Sequence, residues 1–488
     1  MRPLIQEVQT AHTPESLAAR LLETGAQVVL LRSALFDSPA ARYSFVAARP
    51  FLTFRSYGSR CETTGPDRRL RQTQFGNPWH LLDALMSRFE LLDEIDWPFP
   101  LGGVFGYWGY DLKNFTEPKL PRRAVNDLEL PDCHVGFYDS LVAFDHHLGK
   151  VSVISTGLAG DGSRSDAKAK ERMEFWREKL SVVQTVRNEM ATAGEGNAWG
   201  DPFPHSNISR AEYVAAVERA QQYIRAGDIY QVNLSHRLTV RSALSGWELF
   251  GRLAAASPAP FAAFLECDAG GQQNRFEIAS SSPEQFLHLS GPRIVTRPIK
   301  GTRPRHGDPT RDAQLAYELQ TSPKELAELV MITDLLRNDL GKVCEFGSVQ
   351  VADLARLEKF AQVQHLVSTV EGRLRDDVTH FAALASCFPG GSITGAPKFR
   401  AMEIIDELEP LARGPYTGAL GYLGFNRESQ LSIAIRTALC HAGQVYFNVG
   451  AGIVADSVPE AEYEETLAKA RGFLAALGGE RAFANRER

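Results

Sequence analysis

Four glutamates set the first chemical possibility. Glu325 and Glu328 lie three apart in a stretch, Lys324 to Leu336, whose pattern predicts a helix. Glu462 and Glu465 repeat the spacing in a second predicted helix, Pro459 to Leu477. Residues three apart share a helix face. Two such faces opposed would suit Mg²⁺, which takes one or two carboxylates and keeps several waters. Solvated surface carboxylates fit the spacing too, with Glu465 paired to Lys469 at i,i+4.

A second group is basic. The stretch from Arg297 through Lys300, Gly301, Thr302 and Arg303 to Arg305 holds four cations in nine positions. A partly desolvated lysine loses its proton more easily and becomes a nucleophile. Gly301 and Thr302 can offer a backbone N–H and a hydroxyl to a carboxylate. A basic surface loop accounts for the pattern equally well. From Pro389 to Lys398, three glycines and two hydroxyls, including Ser392, allow close backbone approach to a ligand. The Gly-Lys-Ser/Thr ending of a phosphate loop is missing. His365 is a single histidine, a type more often structural than an acid or base.

These residues need elements to hold them. Ser209 and Glu212 form a capping box, followed by a helical pattern that Gly227 can end. Gln27–Leu31, Leu141–Phe144, the run from Gln231, Gly291–Thr296, Gly418–Phe425 and Leu431–Arg436 read as strands. Strands adjoin one another more often than in a βαβ repeat, which predicts a mixed, largely antiparallel α+β sandwich with helices outside. A turn-rich connector from Leu158, a charged helical stretch to about Glu189 and a loop from Ala193 mark a boundary.

The chain has 488 residues, 44% hydrophobic and 23% charged, with a net charge of −6. That is ordinary for a globular protein and does not suggest a nucleic-acid surface. The six cysteines form no Cys-x-x-Cys pair, so no zinc cluster is indicated. No apolar run approaches the roughly 20 residues that span a bilayer, and the start lacks a signal-peptide core. A cytoplasmic protein with reduced thiols and no membrane contact is expected.

Taken in order, these pieces resemble the chorismate-utilising enzymes: anthranilate synthase large subunits, aminodeoxychorismate synthase component I, and isochorismate and salicylate synthases. The motifs that carry the resemblance are Ser281-Ser-Pro-Glu284, Pro298-Ile-Lys-Gly-Thr302, Leu335-Leu-Arg-Asn-Asp-Leu-Gly341, the Gly390–Lys398 stretch and Gly450-Ala-Gly-Ile-Val-Ala-Asp-Ser457. The resemblance implies an N-terminal component I subdomain over 1–190 and a chorismate-binding catalytic domain over 207–477. It makes Glu328 and Glu465 direct Mg²⁺ ligands, with Glu325 and Glu462 acting through water. Tyr416, Arg436, Gly450 and Gly452 become the cradle of the enolpyruvyl carboxylate, with Lys469 adding positive charge. Gln231, Gly301, Thr302 and Ser392 join the substrate site, with His365 and Glu284 as acid/base groups.

Two positions discriminate within the family. Water-adding members carry a lysine where this chain has Gln231, a poor base. At 300 the anthranilate synthases typically have Ala, whereas the aminodeoxychorismate synthases have Lys, as here. In that subgroup the lysine attacks C2 of chorismate, the C4 hydroxyl leaves, ammonia attacks C4, and the lysine departs. The product is 4-amino-4-deoxychorismate on the way to 4-aminobenzoate and folate, and a separate lyase removes pyruvate. Pro260 and Phe261 also resemble this subgroup. With Ser33, Arg42 and Tyr43 they match the family's tryptophan pocket. No cysteine sits in a Gly-x-Cys-x-Gly elbow, so ammonia is expected from a separate glutamine amidotransferase subunit. The alternatives are an anthranilate synthase large subunit and an inactive amino-acid-binding subunit.

Overall fold

Apolar strands explain most of the architecture, because the two sheets bury one face against each other and helices cover the outer face of the first. The computed structural model describes residues 2–33, 42–66, 71–94, 96–181, 204–269, 274–360 and 363–478. The loop from Ala193 to Phe203 and the boundary expected at 190 lie outside the described residues. The preceding charged helix is described over Asp166–Ser181.

Two twelve-stranded sheets face each other. The first runs, in spatial order, through Leu4–Val8, Lys150–Ser155, Ser140–Asp145, Tyr43–Ala48 and Val28–Arg32. It continues through Phe261–Asp268, Arg275–Ser282, Thr437–His441, Gln444–Ile453, Gln231–Arg241 and His205–Ser206, with the short strand Gly395–Ala396 also on Gln231–Arg241. The second runs through Ile299–Pro304, Val363–Arg373, Arg293–Arg297, Gln285–Ser290, Glu428–Ile433 and Ala419–Gly424. It ends with Gly103–Trp108, Cys133–Tyr138, Leu52–Tyr57, Arg60–Thr64 and Arg71–Phe75, and Gln350–Lys359 pairs with Val363–Arg373. Every pairing between these strands is antiparallel; among the described residues a parallel bridge joins Val125 and Leu411.

Both halves of the chain share both sheets. Leu31 pairs with Ala263 in the first, and Trp108 with Ala419 in the second. One apolar core includes Phe45, Phe105, Phe137, Phe286 and Tyr422 from the two sheets. A second lies where the helices Pro14–Leu22, Asp166–Ser181, Gly246–Ala256 and Pro459–Leu477 cover the other face of the first sheet. The expected capping box is present: Ser209 accepts from the Glu212 N–H and Glu212 from the Ser209 N–H. The helix Arg210–Arg225 is capped by Ala226, before Gly227 at φ +83°. All six cysteines are buried and unpaired. Among the described residues no helix is long and apolar enough to cross a membrane.

Candidate active site

A cavity of about 690 Å³ lies where the two sheets and the two acidic helices meet. The helix Pro323–Gly341 brings Glu325 and Glu328 to it, and the helix Pro459–Leu477 brings Glu462 and Glu465. Ser322 caps the first, accepting from the Glu325 N–H, so Glu325 sits in the positive first turn. The three-residue spacing therefore does place all four carboxylates on faces toward one space.

Cations answer them. Lys300 Nζ is 3.7 Å from Glu328 Oε2, Arg303 Nη1 is 3.5 Å from Glu325 Oε1, and Lys469 Nζ is 2.8 Å from Glu465 Oε1. Lys469 also donates to the Gly450 carbonyl at 2.8 Å. Partial burial alone would raise the Glu465 carboxyl, but Lys469, with Lys324 and Lys300 beyond it, holds it below its ordinary range. Burial pushes Glu462 up, while the Ser457 hydroxyl, donating at 2.6 Å, pulls it back.

Most of the basic stretch is an edge strand, Ile299–Pro304, and not a surface loop, while Arg297 ends the strand Arg293–Arg297. Its ladder with Val363–Arg373 shifts register between Lys300 and Thr302, and Gly301 takes φ +70°. That conformation suits glycine, and a Cβ there would stand 2.7 Å from Leu319 and 3.0 Å from Glu325. Thr302 Oγ1 lies 3.0 Å from His365 Nδ1, which also faces the Gly301 carbonyl at 3.3 Å. A carbonyl can only accept, so Nδ1 carries the proton and Nε2 is left as an acceptor. Burial lowers the His365 pKa to about 4, the Gly301 carbonyl opposing and the Arg436 charge adding, so the ring is neutral near pH 7.

Glu284 is buried at the end of Arg275–Ser282. Burial raises its carboxyl, against the Ser392 hydroxyl, the Lys300 charge and the Ile299 N–H. A desolvated carboxyl beside an amine is suited to moving a proton.

Across the cavity Tyr416 is buried, and burial pushes its hydroxyl up to about 12. A Cβ on Gly450 would stand 2.7 Å from the Leu234 carbonyl and 3.0 Å from the Tyr416 hydroxyl. A Cβ on Gly452 would collide with the Gln231 amide and lie 3.7 Å from Lys300 Nζ. Gln231 thus stands beside Lys300 and Gly452 rather than in the cavity wall, and its buried Oε1 has no hydrogen-bond partner among the described residues. Arg436, at φ +51°, spends one N–H on Ser257 Oγ at 3.4 Å, leaving a planar fork suited to a carboxylate.

Lys300, Gly301, Thr302, Glu284, His365, Ser392, Tyr416, Arg436, Gly450, Gly452, Lys469 and the four glutamates all converge here. Sequence reasoning missed Asn233, Ser257 and Lys324 in the wall, which Arg303 of the basic stretch also lines. Asn233 was accessible to it, since it lies two residues from Gln231 on one strand and so on the same face. Among the described residues no three metal-binding groups are already gathered. The donor set still fits Mg²⁺: hard oxygens from two helices across a polar cavity, with one or two sufficient.

The effector residues divide. Ser33, Tyr43, Pro260 and Phe261 line a separate cleft of about 30 Å³, room for only about two waters. Arg42 does not join it, but pairs with Asp145 at 2.7 Å.

Comparison with known proteins points to one family and to two of its members. Residues 31–475 match the family described as chorismate binding enzyme. The chain is 38% identical to anthranilate synthase component 1 of Acetivibrio thermocellus, over 97% of this chain and 95% of the relative. It is 40% identical to aminodeoxychorismate synthase component 1 of Escherichia coli K12, over 92% and 93%. The crystal structure of anthranilate synthase component I from Streptococcus pneumoniae superposes with a TM-score of 0.75 at 31% identity, covering 89% of this chain and 93% of that one.

Proposed function

This chain belongs to the chorismate-binding enzyme family, and we propose that within it the chain aminates chorismate at C4 to give 4-amino-4-deoxychorismate. The single observation that carries this reading is Lys300, whose amine reaches the cavity between Glu328 and the buried Glu284. Gln231, in place of a water-activating lysine, and the Phe261 segment support it.

Arg436 and Tyr416, with the backbone at Gly450 and Gly452, hold the enolpyruvyl carboxylate. Glu328 and Glu465 would hold Mg²⁺ directly, with Glu325 and Glu462 reaching it through water. When bound, it supplies positive charge for the ring carboxylate and the leaving hydroxyl.

Lys300 gives its ammonium proton to Glu284 and its nitrogen bonds to C2. The ring double bonds shift toward C4, the C4–O bond breaks, and the hydroxyl takes the proton from Glu284 and leaves as water. Ammonia then bonds to C4, the double bonds shift back, and the C2–N bond breaks to return Lys300 as the free amine. Pyruvate is not lost; a separate lyase completes 4-aminobenzoate. Ammonia comes from a glutamine amidotransferase subunit, as the component 1 designation of the relatives supports.

Similar identity to anthranilate synthase component 1, 38% against 40%, favours a second reading, anthranilate formation with loss of pyruvate. In that case Lys300 forms no bond to substrate. Intact-mass analysis with chorismate and Mg²⁺ but no ammonia separates the two. Chain mass rising by chorismate less one water, mapped to the Lys300 peptide, is expected. Unchanged mass while turnover proceeds on adding ammonium contradicts the C4 reading.

A further inference from the structure

Behind the wall that carries Tyr416 lies a buried ion pair that the chemistry above does not use. Glu409 caps the helix Lys398–Leu408, and Arg413 follows four residues later. The Arg413 side chain is 1% exposed and stays outside the cavity lining. A guanidinium taken out of water needs each of its N–H groups answered. Nε and Nη2 donate to the two Glu409 oxygens at 2.8 and 2.6 Å, and Nη2 also to the Asn233 carbonyl at 2.7 Å. Nη1 donates to the Ile393 carbonyl at 3.1 Å and to the Thr417 hydroxyl at 3.2 Å. Glu409 Oε1 is held in turn by the Ser235 N–H at 2.8 Å and the Ser235 hydroxyl at 3.1 Å.

These partners come from separate walls of the cavity. Asn233 and Ile393 line it themselves, and Thr417 directly follows Tyr416, which also lines it. Thr417 stands at φ +59°, in the left-handed region that a β-branched residue rarely enters. Such a conformation persists only where its surroundings impose it. The Thr417 N–H donates to the Ala434 carbonyl at 2.9 Å, and its hydroxyl donates to the Tyr416 carbonyl at 2.6 Å while accepting from Arg413. The Tyr416 N–H closes the turn on the Arg413 carbonyl at 3.2 Å, and the guanidinium lies 5.7 Å from the centre of the Tyr416 ring. Arg413 therefore fixes the backbone on both sides of Tyr416, and with it the place where the Tyr416 hydroxyl meets Gly450.

We propose that Arg413, anchored by Glu409, is a positioning residue that aims Tyr416 at the substrate carboxylate. The proposal rests on the carboxylate cradle assigned above and not on which ring carbon is aminated. A double-mutant cycle tests it. Chorismate affinity is read by equilibrium titration with Mg²⁺ present, and Tm is followed alongside so that loss of fold is read apart from loss of binding. Tyr416→Phe should weaken binding by about tenfold. Arg413→Lys, which keeps the charge but not the planar fork, should also weaken it by about tenfold. In the Tyr416→Phe background Arg413→Lys should add less than about twofold, because its effect runs through a hydroxyl already removed. Additive losses, or unchanged affinity in Arg413→Lys alone, overturn the positioning role while the cradle stands. Unchanged affinity in Tyr416→Phe overturns the cradle, and the proposal with it. Should Arg413→Lys fail to fold, Thr417→Val and Thr417→Ser decide. Thr417→Val deletes the hydroxyl that Arg413 reaches and should weaken chorismate binding by about fivefold, whereas Thr417→Ser keeps it and should bind as the unsubstituted chain does. Equal affinity in those two variants overturns the positioning role.

Discussion

Lys300 Nζ stands 3.7 Å from Glu328 Oε2, joining the edge strand of the second sheet to the acidic helix Pro323–Gly341. The contact ties the expected nucleophile to an expected metal ligand, so the two roles can be separated by substitution.

Lys300→Ala should cut amination by about 100-fold or more, a typical worth for a group acting on the reacting atoms. Lys300→Arg should do the same, because its guanidinium keeps the charge but is no nucleophile. Chorismate binding, followed by equilibrium titration with Mg²⁺ present, should be largely kept in both. Turnover surviving in either variant would remove Lys300 from the bond-forming role.

The carboxylates should grade by their distance from the metal. Glu328→Gln and Glu465→Gln should each weaken Mg²⁺ activation by more than about 100-fold, beyond the worth of a supporting contact, and chelation with EDTA should stop turnover reversibly. Ser457→Ala removes the 2.6 Å hydrogen bond to Glu462 and should cost about 10- to 100-fold in apparent Mg²⁺ affinity, as supporting contacts of metal ligands do. Equal effects at all three positions would contradict the assignment of direct and water-mediated ligands.

Acid should unfold the chain through its buried imidazoles. Burial lowers His236, His365 and His380 from 6.5 to about 4. The unfolded chain therefore binds protons that the native state refuses, and stability rises with pH across that window. The stability is complete above pH 6.5 and is lost as pH falls from 6.5 toward about 4. Tm measured against pH should fall through this range, and His380→Gln, at a site remote from the cavity, should flatten the fall. A flat Tm over the window would contradict the burial of neutral imidazoles.

Much of this was legible along the chain. The helix Pro459–Leu477 has the bounds its pattern predicted, and the glutamate pairs kept their shared face, because helix geometry is local. The ladder partners were not legible. Leu31 meets Ala263 and Trp108 meets Ala419 across more than 200 residues, and no local pattern encodes such pairings. The basic stretch at Lys300 looked equally like a loop, since its edge-strand burial depends on Val363–Arg373, some sixty residues later. Arg42 was matched to the effector cleft by motif, but Asp145 from an adjacent strand takes its guanidinium.

Gly450→Ala should damage substrate binding before chemistry. The added Cβ would stand 2.7 Å from the Leu234 carbonyl and must displace the backbone or the Tyr416 hydroxyl. KM for chorismate should rise by about tenfold or more while kcat falls less, as expected for lost uniform binding. A fall in kcat with KM unchanged would place Gly450 outside the carboxylate cradle.

The most direct measurement identifies the product. The purified chain is incubated with chorismate, Mg²⁺ and ammonium chloride at alkaline pH, without any lyase, and the products are resolved by mass. 4-Amino-4-deoxychorismate without pyruvate is the predicted result; anthranilate with stoichiometric pyruvate would contradict it.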